Sequence, residues 1–260
     1  MIDFHNHLVP GVDDGAADLA EARAGLAALV GQGVRTIVTT SHLPGSLTTR
    51  PARLAEVLAA RDRAWETLRA AAAADFPGVR LERGHEVMLD VPVPDLSDPR
   101  VRLAGTAYAL VEFPFFAVPP GSARVLAALA GRGWVPVVAH PERYSGLSAE
   151  LDEAVEWKRA GAYLQINSGS VLGKYGPAPR EAAWALLRAG LADFLSSDYH
   201  ARGTPAVAAC RAALEQAGGA EQARLLSEEN PARLLAGRPP HPVPPLRADP
   251  RPLWKRFFGR

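Results

Sequence analysis

His5 and His7 stand two residues apart near the start of the chain, and Asp198 and His200 repeat that interval far along it. Residues i and i+2 of an extended strand face the same side, so each pair can turn both side chains toward one point. Between them lie His42, Glu86, Glu112 and His140, each at the end of a short run rich in β-forming residues. Imidazole and carboxylate donors suit divalent manganese, iron or zinc. The single cysteine, Cys210, excludes a cysteine-built structural zinc site. So many donors are enough for at least two ions, with a carboxylate such as Glu86 bridging them. Ions spaced about 3.5–4 Å apart can clamp the attacking and leaving oxygens of a phosphoester, and no nucleophilic side chain is then required.

Donors so far apart in sequence meet only if the ends of their strands meet. Short β-rich runs at 2–5, 34–40, 79–85, 107–113, 135–140, 162–167 and 193–198 alternate with helical patterns at 19–32, 51–74, 122–132, 149–160, 179–189 and 205–217. This is the signature of repeated β-α units around a parallel sheet or barrel. Gly33, Gly133, Gly161 and Gly190 each follow an apolar-periodic stretch, where a helix closes in the left-handed conformation. In a parallel α/β barrel the C-terminal strand ends converge on one face. Closure would also bring the last strand beside the first, and the two spaced pairs together.

The 260 residues, 48% of them hydrophobic, suffice for one sizeable core, and no polar linker divides the chain before Gly237. A single α/β domain over residues 1–236 is expected. Lys+Arg 29 against Asp+Glu 28 leaves a formal net charge of +1, which removes the global electrostatic case for nucleic-acid binding. Any attraction for phosphate must be local. The N-terminus has no basic segment followed by an apolar one, and no apolar run reaches the ~18 residues of a membrane span. With one cysteine, read as a packed core thiol, the expectation is a cytoplasmic protein without stable membrane insertion. Residues 237–260 are proline-rich and end in a basic-aromatic stretch with Trp254, Lys255, Arg256, Phe257, Phe258 and Arg260. They are expected as an extended tail that packs back on the barrel through Trp254 and the phenylalanines, or that anchors a partner or membrane surface.

Ile2-Asp3-Phe4-His5-Asn6-His7 followed by Asp13-Asp14-Gly15 resembles the opening of the PHP (polymerase and histidinol phosphatase) superfamily. The nearer resemblance is to its bacterial branch of metal-dependent protein-tyrosine phosphatases from capsule and exopolysaccharide loci. Thr40-Ser41-His42, Gly84-His85-Glu86, Val111-Glu112-Phe113, His140-Pro141-Glu142-Arg143-Tyr144, Gln165-Ile166-Asn167-Ser168, Ser197-Asp198-Tyr199-His200 and Glu229-Asn230-Pro231 carry it to about Leu235. The resemblance implies a distorted seven-stranded (β/α)7 barrel with three divalent ions, manganese foremost and iron or zinc as alternatives. Position by position it implies that His5, His7, Glu86 and Asp198 surround one ion. Glu86, Glu112 and His140 would hold a second, and Asp14, His42 and His200 a third, with Asp13 the alternative to Asp14. Glu112 fits the tyrosine-phosphatase branch, since many other superfamily members carry histidine there.

The same resemblance implies that Arg143 and Arg202 bind substrate phosphate, Arg143 through a planar fork that pairs bidentately with phosphate oxygens. A salt bridge of Arg143 to Glu142 or another surface carboxylate is the plainer alternative. His200 or a bound water would supply a proton to the leaving group. His85 reads as packed or second to the ligands, and Asn167 likewise. Tyr144 and Tyr199 either line the cleft or pack in the core, and His241 in the tail is not a ligand.

The expected activity is hydrolysis of protein phosphotyrosine, with a tyrosine kinase of polysaccharide synthesis as partner and a homo-oligomer as a further possibility. Its rivals are a PHP-type phosphatase for a small molecule such as histidinol phosphate, a TatD-like metal-dependent nuclease, and a metal-binding scaffold without catalysis. The neutral charge and the Asp198/His200 pair count against the nuclease.

Overall fold

Strands β1 (Ile2–Asp3), β2 (Thr36–Pro44), β3 (Arg80–Met88), β4 (Tyr108–Glu112), β5 (Val135–Ala139), β6 (Tyr163–Asn167) and β7 (Phe194–Ser196) pair in sequence order, every neighbouring pair parallel. They come from a computed structural model that describes residues 1–147 and 150–246. Helices α1 (Leu19–Gly31), α2 (Pro51–Asp75), α3 (Ser122–Ala130), α4 (Asp152–Arg159), α5 (Pro177–Ala189) and α6 (Val207–Gln216) connect or follow the strands. Two further short helices, α7 (Ala220–Arg224) and α8 (Asn230–Leu235), flank a π-helical turn at Leu225–Glu229. This is the expected single seven-stranded parallel barrel, with two 3-10 turns in place of an α-helix between β3 and β4. Gly33, Gly133, Gly161 and Gly190 all have positive φ, as the reading of helix ends required.

Alternation along the strands sorts the core. On β4, Ala109 and Val111 join the large cluster under the helices, whereas Tyr108 and Leu110 meet Phe4, Val38, Val137 and Phe194. The second group is apolar filling, and the same face of β4 ends in Glu112. On β6 the buried Gln165 and Asn167 alternate with Leu164 and Ile166, which pack in the large cluster. One strand face is thus hydrophobic low down and polar at the C-terminal end, the arrangement that places a site there.

Four strands end elsewhere than the sequence suggests. β2 and β3 run on to Pro44 and Met88, so His42 and Glu86 pair across a continuing ladder rather than following it. Leu43 and Val87, buried on the opposite face, extend the pairing. β7 stops at Ser196, and Asp198 has φ 51, so the spacing of Asp198 and His200 is not strand alternation. β1 is only two residues long, yet Asn6 bridges Tyr199 beyond it, and His5 and His7 turn to one side with Asn6 facing the other, as expected.

The seam between β7 and β1 explains both short strands. It carries one isolated parallel bridge, Asn6 with Tyr199, and two backbone bonds, Asp198 N to His5 O at 2.7 Å and His7 N to Tyr199 O at 2.9 Å. The buried Asp3 carboxylate supplies the rest. It accepts from Ser197 N at 2.7 Å, Ser197 Oγ at 2.8 Å and Asn6 Nδ2 at 3.0 Å. A side chain therefore does the work of a ladder.

Residues 237–246 follow α8 as an extended strap. Asn230 holds His241 by reciprocal bonds, Nδ2 to His241 O at 3.0 Å and His241 N to Oδ1 at 2.8 Å. Val243 and Leu246 then enter the large core cluster. Residues 237–246 thus pack on the barrel through Val243 and Leu246, while Trp254, Phe257, Phe258 and the basic residues, on which both expectations for the tail rest, lie outside the described residues. Among the described residues no helix is long and apolar enough to cross a membrane.

Candidate metal centre

Nine donors meet at the C-terminal strand ends. Four overlapping groups have ligand atoms within 4.8 Å of one another: His7, Asp14, His42 and His200; His5, His140 and Asp198; His5, His7 and Glu86; His42, Glu86 and Glu112. Every residue expected in the ligand set is present in them. The partition differs in detail, since His7 joins Asp14, His42 and His200, and His140 joins His5 and Asp198. Glu86 lies in the middle, with Oε2 at 3.2 Å from His5 Nε2, 3.4 Å from His7 Nε2 and 3.1 Å from His42 Nδ1. Its other oxygen is 2.9 Å from His140 Nε2.

Neighbours set the tautomers. His5 Nδ1 donates to Gln165 Oε1 at 2.8 Å, and His7 Nδ1 donates to Asp13 Oδ2 at 2.8 Å. His200 Nδ1 donates to the Asp198 carbonyl at 3.0 Å. Each ring is left with an Nε2 lone pair facing the cluster, and those of His5 and His7 stand 3.4 Å apart. Two lone pairs at that distance, beside a buried Glu86 Oε2 without a hydrogen-bond partner, are relieved by a positive charge between them, which a metal ion would supply. The donor set is all nitrogen and oxygen, which fits manganese, iron or zinc.

The electrostatics agree. Burial opposes charge on His42, but Glu112 and Glu86 overcome it and raise its pKa to about 10. His7 is raised well above its ordinary value, against burial, by Asp13, Asp198 and Glu86. Burial also works against the Glu86 carboxylate, yet His5, His140 and His42 hold it well below the usual range. Positive charge is favoured around Glu86, whereas burial and the neighbouring His7 lower the pKa of His200. Two backbones are held there in unusual conformations, His140 at φ 36 and Asp198 at φ 51, of the kind that functional sites maintain.

The adjacent aspartates have separate tasks. Asp13 binds His7 and accepts from Gly15 N at 3.1 Å and His42 N at 3.0 Å, so it orients the donors. Asp14 is 60% exposed at its side chain and brings Oδ1 to 3.5 Å from both His42 Nε2 and His200 Nε2. Gln165 was not singled out from the sequence, although a polar residue in a strand whose neighbours are apolar was a usable signal. Asn167 donates to Asp198 Oδ2 at 2.7 Å, a supporting place as expected.

Arg143 donates from Nη1 to Asp198 Oδ2 at 2.8 Å, which overturns the alternative pairing with Glu142. Glu142 is buried and accepts from Asn167 N at 2.9 Å instead. The Arg143 guanidinium lies 4.5 Å from the Phe116 ring centre and 4.4 Å from that of Tyr175. Arg202 is exposed and donates to the Asp14 carbonyl at 2.6 Å, lining a neighbouring hollow with Lys174 and Tyr175. Tyr144 is packed in the core, its hydroxyl accepting from Phe113 N at 3.0 Å, and Tyr199 packs against the cluster around α1. His85 is buried, bonded to the Arg100 carbonyl at 2.9 Å, with its pKa pushed down to about 3 by burial and by Arg61. His241 is held by Asn230 away from the cluster.

The donors open on a cleft of about 460 Å³. One wall is ionisable, with Asp14, His42, Glu112, His140, Asp198 and His200, and the other is apolar, from Leu43, Met88 and Pro114 to Phe116. Arg143 stands between the two walls.

The model of the family described as capsular polysaccharide synthesis, CpsB/CapC, matches residues 1–236. The tyrosine-protein phosphatase YwqE of Bacillus subtilis is 33% identical over 202 residues, 77% of this chain and 77% of the relative. The tyrosine-protein phosphatase CpsB of Streptococcus pneumoniae is 31% identical over 253 residues, 90% of this chain and 98% of the relative. A crystal structure from a study of YwqE of Bacillus subtilis and CpsB of Streptococcus pneumoniae, described as unique metal-dependent tyrosine phosphatases, superimposes with a TM-score of 0.78 at 32% identity. It covers 94% of this chain and 100% of its own.

Proposed function

The chain belongs to the CpsB/CapC family of capsular polysaccharide synthesis, and from that we propose that it is a metal-dependent phosphatase that removes phosphate from tyrosine in proteins. One observation carries the reading: five imidazoles and four carboxylates converge beside a cleft that also holds Arg143. His5, His7, Asp14, His42, Glu86, Glu112, His140, Asp198 and His200 would hold three divalent ions, manganese first among them. When bound, such ions supply Lewis acidity to the phosphoryl group and to the attacking water.

The chain's own residues do the rest. Arg143 uses one N–H on Asp198 and turns others to the phosphoryl oxygens, held in plane by the two rings that flank it. Gln165 and Asp13 fix the imidazole tautomers. Arg202 braces the loop that carries Asp14. With its Nδ1 proton on the Asp198 carbonyl and Nε2 among the donors, His200 has no proton to spare, and a phenol with a pKa near 10 needs little help beyond a water. A cytoplasmic setting and a partner tyrosine kinase of polysaccharide synthesis complete the proposal, supported by the buried single cysteine and by the family.

The test is hydrolysis of a phosphotyrosine peptide with manganese, before and after chelation, and for His5→Ala and Asp198→Ala. Loss on chelation, return with metal and loss in both variants is expected. Full activity after chelation overturns the reading.

A further inference from the structure

The corner after β4 runs Phe113-Pro114-Phe115-Phe116, and its last two residues both adopt left-handed backbone, Phe115 at φ 59 and Phe116 at φ 47. That conformation is unfavourable for a bulky side chain, and two in succession persist only where the surroundings enforce them. Here they do. The Phe116 carbonyl accepts from Ser145 N at 2.7 Å and Ser145 Oγ at 3.0 Å, and Val118 N donates to the Ser145 carbonyl at 3.1 Å. Tyr144 anchors the other end, its hydroxyl accepting from Phe113 N at 3.0 Å.

Two phenyl rings result with different surroundings. Phe116 lies under the Arg143 guanidinium and 5.5 Å from the His140 ring. Phe115 is 96% exposed, lines the cleft, and makes no ring or cation contact among the described residues. A rigid, strained turn that displays an uncovered phenyl beside an anion-binding centre has no packing purpose. We propose that Phe115 is the platform for the aromatic ring of the substrate, and so the residue that selects aryl over alkyl phosphates.

The inference rests on the phosphatase reading. With the phosphoryl group held by Arg143 and the metal centre, the group beyond the bridging oxygen extends along the apolar wall of the same cleft. An aromatic ring there covers Phe115 in a stacked or edge-to-face pair. An alkyl chain such as that of phosphoserine leaves it bare. Phe116 cannot serve the same purpose, because its face is already taken by Arg143.

Phenylphosphonate and methylphosphonate share an anionic head and differ by the ring, so their binding to the manganese-loaded full chain isolates the ring's contribution. Calorimetric titration is expected to show a preference for phenylphosphonate that falls about tenfold in Phe115→Ala, the factor of one aromatic pair. Phe115→Tyr is expected to restore it, and the exposed position leaves the melting temperature of both variants unchanged. In parallel, the kcat/KM ratio of phosphotyrosine to phosphoserine should fall in Phe115→Ala. A phenyl preference that survives Phe115→Ala overturns the inference while the phosphatase reading stands. Failure of the parent protein to bind either phosphonate or to hydrolyse any monoester overturns both.

Discussion

Replacing Asp3 by asparagine tests whether a carboxylate closes the barrel. The change preserves shape, so no cavity confuses the result. In the native seam Oδ1 accepts from Ser197 N, and Oδ2 accepts from both Ser197 Oγ and Asn6 Nδ2. With the amide oxygen kept on Ser197 N, the new NH2 faces the Asn6 amide, donor against donor. Ser197 Oγ can adapt, accepting from the new NH2 and turning its own proton to the His5 carbonyl at 3.2 Å. Weakening one charge-assisted bond to a neutral one costs about 1 kcal/mol, and the unmatched donor about 2 kcal/mol more. Burial pushes the Asp3 carboxyl up in pKa, so removing its charge returns part of this, about 1 kcal/mol. The expected net loss is about 2 kcal/mol. For a domain of this size that lowers the melting temperature by about 4–8 °C, read by calorimetry or circular dichroism. Manganese affinity should fall as well, because the seam that Asp3 closes sets His5 and His7 against Asp198. A variant as stable as the parent, or more stable, would show that desolvation outweighs the bonds and that the carboxylate does not hold the seam.

Two further perturbations probe the support of the donors. Gly15→Ala builds a Cβ only 2.0 Å from the His7 carbonyl oxygen and 2.4 Å from His7 Cβ, so the loop carrying Asp13 and Asp14 must move; manganese affinity should drop at least about tenfold by competition with a chelating dye, and unchanged affinity would contradict the assigned contacts. Gln165→Leu keeps the approximate bulk but leaves His5 Nδ1 without its acceptor, and metal affinity should fall about 10–100-fold with the fold retained; an affinity equal to the parent's would mean that His5 needs no outer partner.

Much of the site was legible because it obeys local rules. Glu112 ends an alternating strand, and its place follows from period two along β4. His140 and Glu86 likewise follow from the convergence of strand ends. His5 and His7 follow the alternation rule, whereas Asp198 and His200 were paired by a rule that the backbone does not follow there, since β7 is cut short and Asp198 is left-handed. The pairs nevertheless meet, because backbone bonds across the seam impose what strand alternation does not. What sequence could not decide was the assignment of two chemically identical neighbours. Asp13 and Asp14 differ only in which way the turn before Gly15 directs them, and that depends on His42, 29 residues from Asp13. The partner of Arg143 was hidden for the same reason: Glu142 is adjacent in sequence but turns inward to Asn167, leaving Asp198 as the carboxylate within reach.

The strap after α8 changes where the folding unit ends. The match to the family model ends at residue 236, yet Val243 and Leu246 lie in the main core and Leu246 N donates to the Leu187 carbonyl at 3.0 Å. Burial of a valine and a leucine contributes about 3–6 kcal/mol, a large share of the 5–15 kcal/mol by which a typical domain is stable. A proline-rich sequence that shares no helix or strand with the barrel therefore behaves as its last turn of binding tape: cut the chain at the family boundary, and the wall formed by α5 and α7 loses its cover.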